Sequence, residues 1–248
     1  MNPVNPEQRA GYRERGWLAV PGLVYAEAVA ALRRRLEELC TAWESPEVRA
    51  AGIQHEPDAA LGRVPRSAET VRKFSGLADC EPLFREHAVN PQLLDAVEAL
   101  IGAPLLLYAD QALLKPPGVG SAKPPHQDNA YFRVEPADAV ITAWTALDDA
   151  TEENGCMRYF SGSHRGGLVE HEAIKGTPHL IPPGWRPEEA TLAPIPAGGV
   201  IFHHSLTVHC SDANRSRHWR RAFVCHYVRA DARLNARHEN SPPLARVR

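Results

Sequence analysis

The chain has 248 residues, 44% apolar and 23% charged, with a formal net charge of −2. This fits one sizeable soluble domain with room for a substantial core, and it points away from a general nucleic-acid or anionic-membrane partner. Five scattered cysteines (Cys40, Cys80, Cys156, Cys210 and Cys225) with no Cys-x-x-Cys, no apolar signal core and no apolar stretch of membrane-spanning length lead to the expectation of a cytoplasmic protein.

Residues 5–16 and 25–43 read as helices. In the second, Val29, Leu32, Leu36, Leu39 and Trp43 recur at helical spacing, with Arg33, Arg34, Glu37 and Glu38 between them. Residues 46–70 mix Pro, Gly and charge and read as a loop. Asn90-Pro91 opens a further helix, since Asn caps well and Pro suits the first turn; Leu94, Val97 and Ile101 line one face and Gly102 ends it.

The texture changes near residue 104. β-type runs follow at Leu105–Leu114, Ala139–Leu147, Cys156–Phe160, Gly199–His204 and Ala222–Val228, separated by turn residues. Helices first and strands later predict an antiparallel sheet or barrel flanked by helices, with an N-terminal helical part over about 1–103 and a β core over about 104–230 of a single domain. Residues 164–192 lack periodicity and are rich in Pro, Gly and His, as lids and binding loops often are.

His126 and Asp128 in Pro-Pro-His-Gln-Asp are two residues apart, which in an extended segment puts both on one side with Gln127 pointing away. With one later histidine they would form a 2-His-1-carboxylate triad suited to Fe(II). His-x-Asp alone is a weak signal. A second histidine-rich run holds His203, His204 and His209, and spacing alone leaves all three open as the third ligand. Eleven residues after His209, Arg220 enters the last strong strand, where it could pair with a carboxylate or lie, with Arg221, in a solvated basic turn.

With these motifs the chain resembles the phytanoyl-CoA dioxygenase family of Fe(II)/2-oxoglutarate oxygenases. The matching pieces, in order, are Leu114-Lys115-Pro-Pro-Gly, Pro125-His126-Gln127-Asp128-Asn129-Ala130-Tyr131-Phe132, Ala143-Trp144-Thr145-Ala146-Leu147-Asp148, Asn154-Gly155-Cys156 with Ser161-Gly162-Ser163-His164, and His209-Cys-Ser211-Asp-Ala-Asn214-Arg-Ser216 with Arg220. They span about residues 70–230. The resemblance implies a mainly β fold with flanking helices: a double-stranded β-helix (jelly-roll, cupin-like) core. It implies His126, Asp128 and His209 as the iron ligands, and Arg220 on the distal carboxylate of 2-oxoglutarate with Ser211 beside it. It also implies Lys73, Gln111, Trp144 and Gln127 around the cosubstrate. His204 is read as supporting the strand, His164 as structural or pocket-lining, and His171, His179, His218 and His226 as ordinary structural histidines. The chain departs from the family at Gly199, where relatives often have Asp, and at Ser161, in place of a usual Pro.

The implied reaction consumes Fe(II)-bound 2-oxoglutarate and O2, releases succinate and CO2, and hydroxylates or otherwise oxidises a C–H bond. Asp128 fills the position that related halogenases leave to a halide. The partner is a small-molecule substrate, a metabolite or natural-product intermediate; no motif bears on oligomeric state. Arg133 and Arg158 are candidates for facing an anionic group on that substrate, or else point outward. Two rivals share the scaffold: a cupin-type metalloenzyme that does not use 2-oxoglutarate, and a non-catalytic small-molecule binding protein.

Overall fold

A computed structural model describes residues 3–49, 52–174, 180–234 and 245–248. Two antiparallel sheets face one another. The major sheet runs Trp17–Val20, Val200–His204, Val140–Ala146, Arg220–Arg229, Leu105–Lys115, Val71–Ser75 and Gln54–His55 in spatial order, with Ala245–Arg246 also paired to Leu105–Lys115. The minor sheet runs Thr191–Ala193, Met157–Tyr159, His209–Ser211 and Lys123–His126. This is the expected jelly-roll core. Helices Pro6–Arg15, Ala26–Thr41 and Pro91–Ile101 fall where periodicity and capping place them. Asn5 and Asn90 cap the first and third through their side chains, and Gly102 ends the third at φ 86°.

The N-terminal part is not purely helical. Trp17–Val20 and Val71–Ser75 are strands of the major sheet, too short and isolated for alternation to reveal them. The stretch 46–70 holds short helices at Pro46–Arg49 and Pro57–Ala60 and the strand Gln54–His55. Within 164–192, Glu172–Ala173 pairs with Leu180–Ile181; His179 lies outside the described residues.

Period-two alternation gives the major sheet two different faces. Along Arg220–Arg229, Phe223, Cys225 and Tyr227 enter the core shared with the helices, beside Leu32, Leu36, Leu93 and Val97. Ala222 and Val224 face the other sheet and pack with Trp144, Ala146, Met157, Tyr159 and Ile201. Trp17 closes this second core by stacking on Tyr159 at 5.0 Å, and its indole N–H donates to Ser161 Oγ at 2.9 Å. The serine at this position thus has a partner that a proline could not provide. Gly155, at φ +81°, lets the Asn154-Gly155 turn lie against the Asp212 carbonyl, which a Cβ would meet at 2.4 Å.

His87 sits in the helix–sheet core, with Nε2 3.0 Å from Thr145 Oγ1 and its ring against Phe223. Burial pushes its pKa down to about 4. The folded value lies below the unfolded one, so His87 contributes nothing above about pH 6.5; as pH falls from there toward 4 the unfolded chain binds a proton that the folded chain does not, and stability is lost. His87→Gln keeps a hydrogen-bonding group for Thr145 without the titration. Urea unfolding at pH 7 and pH 5 should show the variant losing about 2 kcal/mol less between the two pH values than the parent protein.

Candidate active site

The space between the sheets that the second core does not fill is a cavity of about 350 Å³. His126 ends one minor-sheet strand, and His209 begins the strand paired with it, directly opposite in register. Their ring centroids are 4.2 Å apart. Asp128 completes the cluster: one ligand atom from each of His126, Asp128 and His209 lies within 4.8 Å of the others, and all three residues are buried. Asp128 does not reach the site along an extended strand. The strand stops at His126, and Asp128 is in the α region (φ −58°, ψ −38°) at the head of the short helix Asn129–Phe132. The sequence spacing put it on the correct side, but a turn presents it.

Three of the cluster's six polar atoms are committed to the surrounding protein. His126 Nδ1 is 2.9 Å from the Pro124 carbonyl and His209 Nδ1 is 2.9 Å from the Thr207 carbonyl. A carbonyl only accepts, so each Nδ1 carries the hydrogen and each Nε2 is left bare as a donor of its lone pair. Those two Nε2 atoms lie 3.7 and 3.6 Å from Asp128 Oδ1. The other carboxylate oxygen, Oδ2, accepts from the Thr142 hydroxyl at 2.7 Å and from His203 Nε2 at 3.1 Å. His203 Nδ1 accepts in turn from the Tyr159 hydroxyl at 3.0 Å, and Thr142 Oγ1 accepts from His226 Nδ1 at 2.9 Å. His203 therefore orients the carboxylate, while His209 faces His126. Burial holds His126 well below the ordinary histidine range and brings His209 to about 4, so both rings are neutral near pH 7. Burial works against the Asp128 carboxylate, but His209, His203 and His226 outweigh it and hold its pKa well below the usual value.

The major sheet supplies the opposite wall. Arg220, Val224 and His226 project into the cavity from one strand, Thr142 and Trp144 from a second, and Gln111, Leu113 and Lys115 from a third, and the neighbouring Arg72 and Lys73 line it from a fourth. Ser211 lines it from the minor sheet. Arg220 is 3% exposed and lies over the Trp144 ring at 5.5 Å, and its Nε and Nη1 have no hydrogen-bond partner. The Trp144 indole N–H is likewise unpartnered. Burial lowers Arg220 only to about 10, so it stays charged. Arg221, one residue on, points to the other face. There it pairs with both Asp148 carboxylate oxygens, at 2.7 and 2.9 Å, and with Glu37. Neither arginine is a solvated basic turn.

Three expected site residues lie elsewhere. Gln127 is fully buried but turned away: its amide donates to the Gly167 and Leu206 carbonyls and its oxygen accepts from Val169 N–H, fixing the segment after His164. Arg133 is exposed, in the left-handed conformation (φ 52°) that ends the short helix. Arg158 points out of the minor sheet between two residues that point in, and its charge is met by Asp212 at 2.7 Å and Glu152 at 3.2 Å. None of the three lines the cavity. Thr142, His203 and His226 do, with Lys123, Tyr131 and Glu56. Parity carried part of that signal: Thr142 is two residues from Trp144, and His226 an even six from Arg220.

Two neutral imidazoles and one carboxylate, on a surface that leaves the cavity side open, suit a Fe(II) ion. The unpartnered guanidinium on the facing wall suits an anion. Comparison with known proteins agrees with both. The model of the family "Phytanoyl-CoA dioxygenase (PhyH)" matches residues 12–222. The human peroxisomal phytanoyl-CoA dioxygenase is 29% identical over 241 residues, covering 93% of this chain and 70% of that one, and a probable phytanoyl-CoA dioxygenase of Caenorhabditis elegans is 30% identical, covering 92% and 76%. Among solved structures, the non-heme α-ketoglutarate-dependent carbocyclase SnoK superimposes with a TM-score of 0.72 at 26% identity, over 96% of this chain and 89% of that one. The epimerase SnoN in complex with Fe3+, α-ketoglutarate and nogalamycin RO gives 0.72 at 26% identity, over 92% and 84%. The chain belongs to the phytanoyl-CoA dioxygenase family and is an iron- and 2-oxoglutarate-dependent oxygenase.

Proposed function

We propose that this oxygenase hydroxylates a C–H bond of a small metabolite or natural-product intermediate, with 2-oxoglutarate converted to succinate and CO2. The observation that carries the cosubstrate assignment is Arg220: a buried, charged guanidinium with two idle nitrogens on the wall facing the histidine pair. In this reading His126 Nε2, His209 Nε2 and Asp128 Oδ1 hold Fe(II), which when bound supplies the oxidising chemistry with O2. Arg220 receives the distal carboxylate of 2-oxoglutarate, with Ser211, Trp144, Gln111 and Lys73 around it. Gln127 acts at one remove, by tying the backbone at Gly167, Val169 and Leu206 to the segment that carries His126 and Asp128.

The rest of the wall excludes water and fixes orientation. Thr142 and His203 restrain Oδ2, so the carboxylate offers a single oxygen to the metal. Because Asp128 occupies that position, hydroxylation is the expected outcome and halide transfer is not. A cavity of about 350 Å³ is at the small end of the roughly 300–1,000 Å³ usual for ligand sites, which supports a small primary substrate. All five cysteines are unpaired, which supports the cytoplasm as its compartment.

Anaerobic addition of Fe(II) and 2-oxoglutarate should produce a weak visible charge-transfer band, and admitting O2 should release succinate. A protein that gives neither contradicts the proposal. Arg220→Gln should weaken 2-oxoglutarate binding roughly 10- to 100-fold, as loss of a charge-assisted pair implies, with Fe(II) affinity little changed.

Thr142→Val removes one restraint on Asp128 without touching a ligand atom. Fe(II) affinity, measured by competition with a chelator, should drop roughly 10-fold or more while the circular dichroism spectrum stays that of the parent. Unchanged affinity would show that His203 alone suffices to orient the carboxylate.

A further inference from the structure

The cavity carries more positive charge than iron and 2-oxoglutarate need. Five cationic side chains line it: Arg72, Lys73, Lys115, Lys123 and Arg220. Only two carboxylates do, Glu56 and Asp128. Burial holds the Lys115 ammonium well below its ordinary range, so the count is made on the other four, and the excess over the two carboxylates is two positive charges. A divalent ion and a doubly charged 2-oxoglutarate cancel each other, so the same excess remains when both are bound.

The cations differ in how far they are already satisfied. Lys115 donates to the carbonyls of Ser121, Ser211 and Asp212. Lys123 is held against Tyr131, with Nζ 3.3 Å from its hydroxyl. Arg220 faces the cosubstrate wall with Trp144. The backbones of Arg72 and Lys73 belong to the sheet, but their side chains make no hydrogen bond or ion pair with any described residue. They are consecutive on the strand Val71–Ser75, near the open edge of the major sheet, where the exposed Gln54 pairs with Lys73 in register. Arg72 is also the charge that Lys73, Lys115, Lys123 and Arg220 all feel as a repulsion. An arginine placed among other cations, with no ion-pair partner of its own, raises the energy of the site until an anion arrives. With Lys73 assigned to the cosubstrate, Arg72 is the remaining cation of the cavity lining whose side chain has no partner among the described residues.

We infer that the primary substrate is a small organic anion and that Arg72, at the rim of the cavity, receives its carboxylate, phosphate or phosphonate group. The guanidinium fork suits any of the three. This rests on the proposed 2-oxoglutarate site and adds to it a second anion subsite, opposite in role to the outward-facing Arg158 and the exposed Arg133.

The test is calorimetric titration of the anaerobic Fe(II)·2-oxoglutarate complex with alkanoates from butanoate to octanoate, the matching alkyl phosphonates, and the matching neutral amides. At least one acid series should bind tenfold or more tightly than its amides, and whichever of carboxylate and phosphonate binds better names the substrate's group. Arg72→Gln should abolish that preference while changing the dissociation constant of 2-oxoglutarate less than threefold. Acids and amides that bind alike, or no binding by either acid series, would overturn the inference. So would an Arg72→Gln protein that loses 2-oxoglutarate as Arg220→Gln does, because Arg72 would then belong to the cosubstrate. Each of those results leaves the visible band of the parent protein intact. Loss of that band in the parent is the separate failure of the functional reading, and would take the anion subsite with it.

Discussion

Arg220 holds a full positive charge inside the protein with two guanidinium nitrogens unpaired, and that costs several kcal/mol until a counter-charge is supplied. Its neighbour Arg221 shows what a satisfied arginine looks like in the same strand. One residue on and turned to the other face, it is met by Asp148 through two hydrogen bonds and by Glu37. Strand alternation produces both from one dipeptide. A fold that wanted only stability would complete both pairs. Leaving one incomplete, on the wall that faces two bare imidazole nitrogens, leaves binding energy for an anion, which in the proposed site is the distal carboxylate of 2-oxoglutarate.

Asp128 shows the complementary device. Its two oxygens do different jobs: Oδ2 is taken by Thr142 and His203, and only Oδ1 is left near both histidine Nε2 atoms. The restraint is passed outward through hydrogen bonds whose direction is fixed at every step. His226 donates to Thr142, Tyr159 donates to His203, and the Tyr159 ring stacks on Trp17 at the edge of the major sheet. Each link is buried, where an unmade hydrogen bond is expensive, so rotation of any one group is penalised by the next. The carboxylate is thereby fixed by residues from five separate strands as well as its own turn.

Much of this was legible in the sequence, for identifiable reasons. The long strands Leu105–Lys115, Val140–Ala146 and Arg220–Arg229 announce themselves through β-branched and apolar runs. The Asn-Pro helix start at 90 follows from capping chemistry. The histidine and carboxylate positions, with Arg220, Trp144 and Ser211, follow from ordered motifs and do converge on one cavity. Short strands such as Trp17–Val20 were not legible, because four residues carry no usable period and their stability comes from a partner 180 residues away. The fates of Arg133 and Arg158 were equally hidden. One depends on a left-handed helix cap, the other on Asp212 and Glu152 being placed outside the minor sheet. Gln127 illustrates a third limit: a residue can stand beside the metal ligands in sequence and spend its whole side chain on remote backbone.

The division of labour between the sheets has a further consequence. The cluster of His126, Asp128 and His209 belongs to the minor sheet and the turn after it, while the guanidinium and most of the remaining cavity wall belong to the major sheet. The separation of the two halves of the site is therefore set by what packs between the sheets. That packing is the second core, in which Trp144, Met157, Tyr159, Ile201 and Val224 interlock at one end of the space. Trp144, Met157 and Val224 are at once members of that core and walls of the cavity. Close-packed side chains transmit small volume changes as displacements rather than absorbing them. A substitution deep in this core, touching neither the histidine pair nor Arg220, would change the gap between them, which is the gap that 2-oxoglutarate spans in the proposed site. In this protein the geometry of the site and the packing of the sandwich are the same constraint.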